Sequence, residues 1–136
     1  MQPKKILIMG LPGSGKTTLA TALAKELGAV HLNADAVRAT VNKDLGFSIK
    51  DRIEHARRMS CIADLITASG FNVVADFVCP TPETRAAFNA QKIIWMNTIK
   101  EGRFEDTNKL FVPPESADLV FGSWINIDVK RLGQML

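Results

Sequence analysis

Apolar residues in this chain fall in short runs that alternate with stretches of helical periodicity. Lys5–Met9 (KILIM) is such a run and reads as a strand buried on both faces. Beyond a glycine-rich turn, Leu19, Ala20, Leu23, Ala24 and Leu27 recur at helical spacing, and Gly28 supplies a stop. Residues 29–33 read as a second strand and 35–41 as a helical turn or two. Ser48 opens S-I-K-D, a capping-box-like start with Asp51 at the third helical position. Ile53, Ala56, Met59, Ala63 and Ile66 then mark one face of a long helix that ends near Ser69 and Gly70. Residues 71–75 (FNVVA) predict a buried strand, 82–89 a short helix, 93–96 a strand and Leu119–Phe121 the last strand. Mixed signals leave 122–136 unassigned. Strands alternating with helices predict an α/β fold of three layers, a doubly wound and mostly parallel sheet of about five strands.

Composition narrows this picture in a few places. A length of 136 residues predicts one domain spanning 1–136. Hydrophobic content of 46% beside 23% charged residues is ordinary for a globular chain, and no apolar run reaches the ~18 residues of a membrane helix. Lys4 and Lys5 before an apolar run imitate a secretory signal, but the run breaks at Gly10, so a cytoplasmic protein is expected. Cys61 and Cys79 form neither a disulfide framework nor a zinc-ligand spacing, and both are expected to be reduced, partly buried thiols. A net charge of +3 suits an anionic ligand, yet the basic residues are scattered, so no nucleic-acid partner is expected.

The stretch GLPGSGKTT, residues 10–18, fits G-x-x-x-x-G-K-[ST] with Gly10, Gly15, Lys16 and Thr17, and it lies between a strand and a helix as a working phosphate loop requires. Backbone N–H groups of Gly10, Gly13, Ser14, Gly15, Thr17 and Thr18 can converge on phosphate oxygens at a helix N-terminus. Lys16 would reach the outer phosphates of ATP and Thr17 would ligate Mg2+. Ligands of open α/β sheets bind beyond the carboxyl ends of the strands, so the acids Asp35 and Asp76 are candidates for metal association or for the base. A capping role for Asp35 is the bland alternative. Arg38 lies one helical turn beyond Asp35, and Arg52 and His55 stand three apart near Phe47, which places cations beside an aromatic ring. A planar acceptor with an anionic tail suits that set.

With these residues the chain resembles the adenylylsulfate kinases, which transfer phosphate from ATP to the ribose 3'-hydroxyl of adenylyl sulfate. GLPGSGKTTLA, the segment DAVR at 35–38 and NKDLGFSIKDRIEHARR at 42–58 carry the resemblance, the last against a family pattern close to NKDLGFS-x-x-DR-x-E-N-x-RR. FVCP followed by Arg85 resembles the family's FISP followed by arginine. The resemblance implies a catalytic Lys16, a magnesium-associated and acceptor-activating Asp35, and Arg38 and Arg52 on the adenylyl sulfate. It also implies Phe47 stacked on the acceptor adenine, with Phe104 closing the other face in a segment matching FTGIDDPYEPP in length. The chain departs from the family in having Asn33-Ala34 before Asp35, His55 for asparagine and Asp76 for serine, and it lacks a lid motif like RDPKGLY between Asn97 and Phe104. A lid-deleted member, shortened at its C-terminal end, is the resulting expectation.

Two alternatives stay open at this point. The same loop, the DAVR segment and a strand ending in Asp76 before Arg85 also resemble small phosphate-loop kinases of the zeta-toxin and polynucleotide-kinase group, where an acid at the Asp76 or the Asp35 position can activate an acceptor hydroxyl. A nucleotide-binding module without transfer activity is the other. Oligomeric state is open, with a homodimer among the arrangements allowed.

Overall fold

The computed structural model describes residues 2–136. Five strands, β1 (Lys5–Met9), β2 (Val30–Asn33), β3 (Val73–Asp76), β4 (Lys92–Met96) and β5 (Leu119–Phe121), form one sheet in the order β2-β3-β1-β4-β5. Every pairing is parallel. Helices α1 (Lys16–Leu27), α2 (Ala34–Ala39), α3 (Ile49–Ala68), α4 (Pro82–Phe88), α5 (Glu105–Leu110) and α6 (Val129–Met135) complete the expected three-layer α/β architecture.

The period of two along β1 explains the layers. Ile6 and Ile8 face α1 and α6, packing with Leu19, Leu23, Val74, Ile94 and Leu132, whereas Leu7 and Met9 face α3 and α4, packing with Ala56, Met59, Phe77 and Phe88. A strand whose two faces are both covered must be apolar throughout, as KILIM is. Lys5 conforms because its ammonium bonds Ser60 Oγ (2.8 Å) and Asp64 (3.0 Å) above the Phe88 ring.

Helix ends follow local chemistry. Gly28 caps α1 in the left-handed conformation, and the Ser48 hydroxyl accepts the Asp51 N–H at the start of α3. The reciprocal half of that capping box does not form, because the Asp51 carboxylate accepts from Gly46 N–H instead (2.9 Å). Asn33, not Asp35, caps α2, accepting the Ala36 N–H (2.9 Å).

Several other expectations shift. Strand β3 begins at Val73, two residues later than expected, with Phe71 exposed, and it incorporates Asp76 as its last residue. Ile53 is half-buried and lies outside the core, which leaves Ala56, Met59 and Ala63 as the buried face of α3. Cys61 is exposed and Cys79 fully buried, and both are free thiols. The unassigned C-terminal stretch forms α6, capped by Asp128 and laid against α1 through Leu132 and Gly133. Among the described residues no helix is long and apolar enough to cross a membrane.

Candidate active site

The phosphate loop leaves β1 at Met9 and enters α1 at Lys16. Two of its glycines are required by contacts: a Cβ on Gly10 would lie 2.6 Å from the Met96 carbonyl oxygen, and one on Gly15 would lie 2.1 Å from Trp124 Nε1, with φ positive at both. The Ser14 carbonyl accepts from Thr98 Oγ1 (2.7 Å) and Trp124 Nε1 (3.2 Å), so the ends of β4 and β5 both hold the loop. Ser14 Oγ is buried with no partner of its own. Lys16 Nζ donates to the Leu11 carbonyl (3.0 Å), and burial pushes its pKa down to about 8 against the opposing pull of Asp76 and Asp35.

The sheet register decides which acid meets the loop. Parallel pairing sets Ile8 against Asp76 and Asp76 against Asn33. Asp76, 2% exposed, then receives the Thr17 hydroxyl on Oδ2 (2.6 Å), His31 Nε2 on Oδ1 (2.6 Å) and Asn33 Nδ2 on both oxygens (3.1 and 3.3 Å). Of the two candidate acids, the one on the Thr17 hydroxyl is therefore Asp76. Asp35 sits in the first turn of α2, exposed, on the wall of the same cavity. Among the described residues it makes no ion pair, not even with Arg38 one turn on.

That cavity, about 530 Å³, runs from Lys16 and Thr17 to Phe47 and Phe104. Phe47 is 64% exposed, with the Arg38 guanidinium 4.4 Å and the Arg52 guanidinium 5.5 Å from its ring centre. Both arginines are anchored. Arg38 donates to the Gly46 carbonyl (2.8 Å), and Arg52 donates to the Phe47 carbonyl (2.8 Å) and Thr107 Oγ1 (3.1 Å). Burial, and next the Arg52 charge, holds Arg38 below its usual pKa, and burial does the same to Arg52. Arg52 also lies 3.6 Å from the exposed Asp106 carboxylate, whereas Arg38 has no carboxylate partner among the described residues, so the pair leaves positive charge to meet an anion.

His55 reaches the cavity wall but is 3% exposed. Its Nδ1 pairs with Asn42 Nδ2 (2.8 Å), its ring edge meets Phe77, and its Nε2 is buried without a partner. Burial, followed by Arg38 and Arg58, lowers its pKa to about 4, so it is neutral near pH 7. Arg85 braces the following loop by donating to the Cys79 and Val112 carbonyls.

No lid stands between β4 and α5. Residues 97–104 are a short connection in which Asn108 Oδ1 accepts the Gly102 N–H (2.8 Å) and Asn108 Nδ2 donates to the Gly102 carbonyl (3.0 Å). This clamp presents Arg103 and Phe104 to the cavity. Four contributors went unread in the sequence: His31, Asn33 as a partner of Asp76, Thr107 and Trp124. His31 and Asn33 alternate on one strand face, a signal available but short; Thr107 and Trp124 gain their roles only through long-range contacts.

A sequence model described as Adenylylsulphate kinase matches residues 2–101. The chain belongs to the adenylylsulphate kinase family. Relatives of that family include the adenylyl-sulfate kinase of Bacillus licheniformis, 45% identical over 85 residues, which are 59% of this chain and 43% of that protein. Adenylyl-sulfate kinase 3 of Arabidopsis thaliana is 39% identical over 87 residues, 60% of this chain and 42% of that one. The matched stretch thus spans less than half the length of either relative. Among solved structures, the APS kinase CysC of Mycobacterium tuberculosis in complex with AMPPNP and APS superposes with a TM-score of 0.80 at 22% identity, covering 98% of this chain and 95% of that one. That likeness is one of fold, and the family's three-layer architecture is the one found here.

Proposed function

We propose that this chain, as a single domain, is a kinase that transfers the γ-phosphoryl group of ATP to the 3'-hydroxyl of adenylyl sulfate. One observation carries the reading: a single cavity joins the phosphate loop to the Arg38, Phe47 and Arg52 cluster. A loop alone fits any nucleotide-binding protein, but a buried and a half-buried guanidinium on an exposed aromatic ring fit a nucleotide that carries a second anionic group. The family relationship points the same way.

The residues present fit ATP and Mg2+. The unpartnered Ser14 Oγ, the left-handed Gly13 and Gly15 and the Lys16 ammonium form a cradle for phosphate oxygens. Thr17 and Asp76 offer hard oxygen ligands, and among the described residues no cluster of three His, Cys, Asp or Glu forms a metal cage. That pattern suits Mg2+, which binds through one or two protein oxygens together with phosphates and water. Bound ATP supplies the phosphoryl group, and Mg2+ spreads positive charge over its oxygens.

Within this reading Asp76 is the metal-side carboxylate, since it already holds the Thr17 hydroxyl and is immobilised by His31 and Asn33. Asp35, exposed on the cavity wall and unpaired with any cation, takes the proton of the acceptor hydroxyl. Arg38 and Arg52 bind the phosphosulfate, and Phe47 and Phe104 take the two faces of the acceptor adenine. His55 acts on the substrate side by fixing the Asn42 turn behind Arg38 rather than by direct contact.

The deciding experiment is a product assay with ATP, Mg2+ and adenylyl sulfate, comparing wild type with Lys16→Ala and Asp35→Ala. Formation of 3'-phosphoadenylyl sulfate by wild type and its loss in both variants is the expected result. Tight ATP binding with no product would assign the cavity to another acceptor or to a module that binds without transfer.

A further inference from the structure

The aromatic residue in closest touch with the phosphate loop does not line the cavity. Trp124 follows β5, donates its indole N–H to the Ser14 carbonyl (3.2 Å), and lies so near Gly15 that an added Cβ would come within 2.1–2.5 Å of its Nε1, Cε2 and Cζ2. It is 39% exposed, so part of its ring remains open to solvent beside the start of α1.

Sheet order gives this placement a meaning. With β1 central, Asp35 and Arg38 follow β2 and Asp76 ends β3, all on one flank of the loop, while Thr98 and Trp124 follow β4 and β5 on the other. A nucleoside triphosphate seated by its phosphates must carry its base to one flank. The β2–β3 flank leads to Phe47 and the acceptor arginines, which leaves the β4–β5 flank for the donor.

We infer that Trp124 is the donor-base platform, the surface on which the purine of the phosphate donor stacks. This rests on the kinase reading above and adds a residue to it. The ring's one N–H is committed to Ser14, so Trp124 can offer a π-face but cannot read the edge of the base. It therefore contributes affinity without choosing between adenine and guanine, and it covers the donor side of a loop that has no lid.

The test measures binding, by titration calorimetry in Mg2+, of AMPPNP, GMPPNP and inorganic tripolyphosphate to wild type, Trp124→Ala and Trp124→Phe, with melting curves to establish folding. Trp124→Ala is expected to weaken AMPPNP and GMPPNP by a common factor on the order of ten-fold or more, with tripolyphosphate unchanged. Trp124→Phe keeps the ring and should hold both nucleotides near wild-type affinity. Equal loss of tripolyphosphate binding in the alanine variant would show that Trp124 merely braces Ser14, and unchanged nucleotide affinity would show that no base rests on it; either overturns the inference and leaves the kinase reading standing. A folded wild type that binds neither nucleotide nor tripolyphosphate overturns both.

Discussion

The Thr17 hydroxyl donates to Asp76 Oδ2 at 2.6 Å, joining the first turn of α1 to the end of β3. The other Asp76 oxygen lies 2.6 Å from His31 Nε2, so this carboxylate has little freedom to travel to an acceptor hydroxyl. Asp35, on an exposed helical turn, has that freedom. The two acids of the cavity thus divide into one held by hydrogen bonds beside the phosphate loop and one exposed on the wall near Arg38.

Neutralising each acid separates the roles. Asp76→Asn should raise the Mg2+ concentration needed for half-maximal rate and lower turnover by about a hundred-fold or more, the scale of losing one preorganised electrostatic contact. Asp35→Asn should lower turnover on the scale of ~10² to 10⁴, typical of a missing general base, and leave the Mg2+ requirement alone. Steady-state rates across a Mg2+ titration read both effects, and exchanged phenotypes would reverse the assignment.

Titration of Lys16 should be visible in nucleotide binding. Its folded pKa of about 8 lies below the ordinary 10.5, so between those values the folded chain holds fewer protons than the unfolded one. The contribution of this group to stability therefore grows as pH rises through that window. The ammonium that attracts phosphate is lost over the same climb. AMPPNP affinity should fall between about pH 7 and about pH 9, and Lys16→Arg, charged throughout, should flatten the dependence. Calorimetry across that range checks it, a constant wild-type affinity being the contrary result.

Much of this site was legible in the residues themselves. KILIM, the glycine turn and the Leu19 to Leu27 spacing carry strand, loop and helix locally, because a strand covered on both faces needs no polar alternation and a phosphate loop needs its glycines in order. The Arg38, Phe47 and Arg52 grouping was legible too, its members lying near the end of α2, in the connection 40–48 and in the first turn of α3. The apolar run 71–75 places Asp76 just after its strand, but Phe71 is exposed and the strand continues into a buried acid that Thr17, His31 and Asn33 make tolerable. Helix α6 had its signal in Asp128, Val129, Leu132 and Leu136, yet two turns are too short for periodicity to dominate. Trp124 could not be placed at all, since its partner Ser14 is 110 residues away.

Acceptor recognition makes its own prediction. Phe47→Ala should weaken adenylyl sulfate binding by about 1 to 3 kcal/mol, the range for losing one base-stacking ring, with AMPPNP affinity unchanged. It also strips the support beneath two guanidiniums, so salt should affect the variant's acceptor affinity more steeply than the wild type's. Direct titration at two ionic strengths measures both.

Stability offers a test away from the chemistry. Phe88 is fully buried between β1 and α3, edge-on to Phe77 and beneath Lys5. Phe88→Ala should cost about 3 to 5 kcal/mol in urea unfolding, the usual toll of an aromatic cavity. A loss below about 1 kcal/mol would mean that this face of the sheet is not the packed core described.

The pairing of Ile8 with Asp76 ties chemistry to folding in a single coordinate. Were β3 to slip by one residue against β1, every side chain on it would exchange faces, and Asp76 would leave Thr17 for the packed interior under α3. The contact between Thr17 and Asp76 therefore has no tunable hinge: it is either assembled with the sheet or missing. The length of the surrounding loops, such as the short connection between β4 and α5, does not set the place of the carboxylate, because its address is written in strand register.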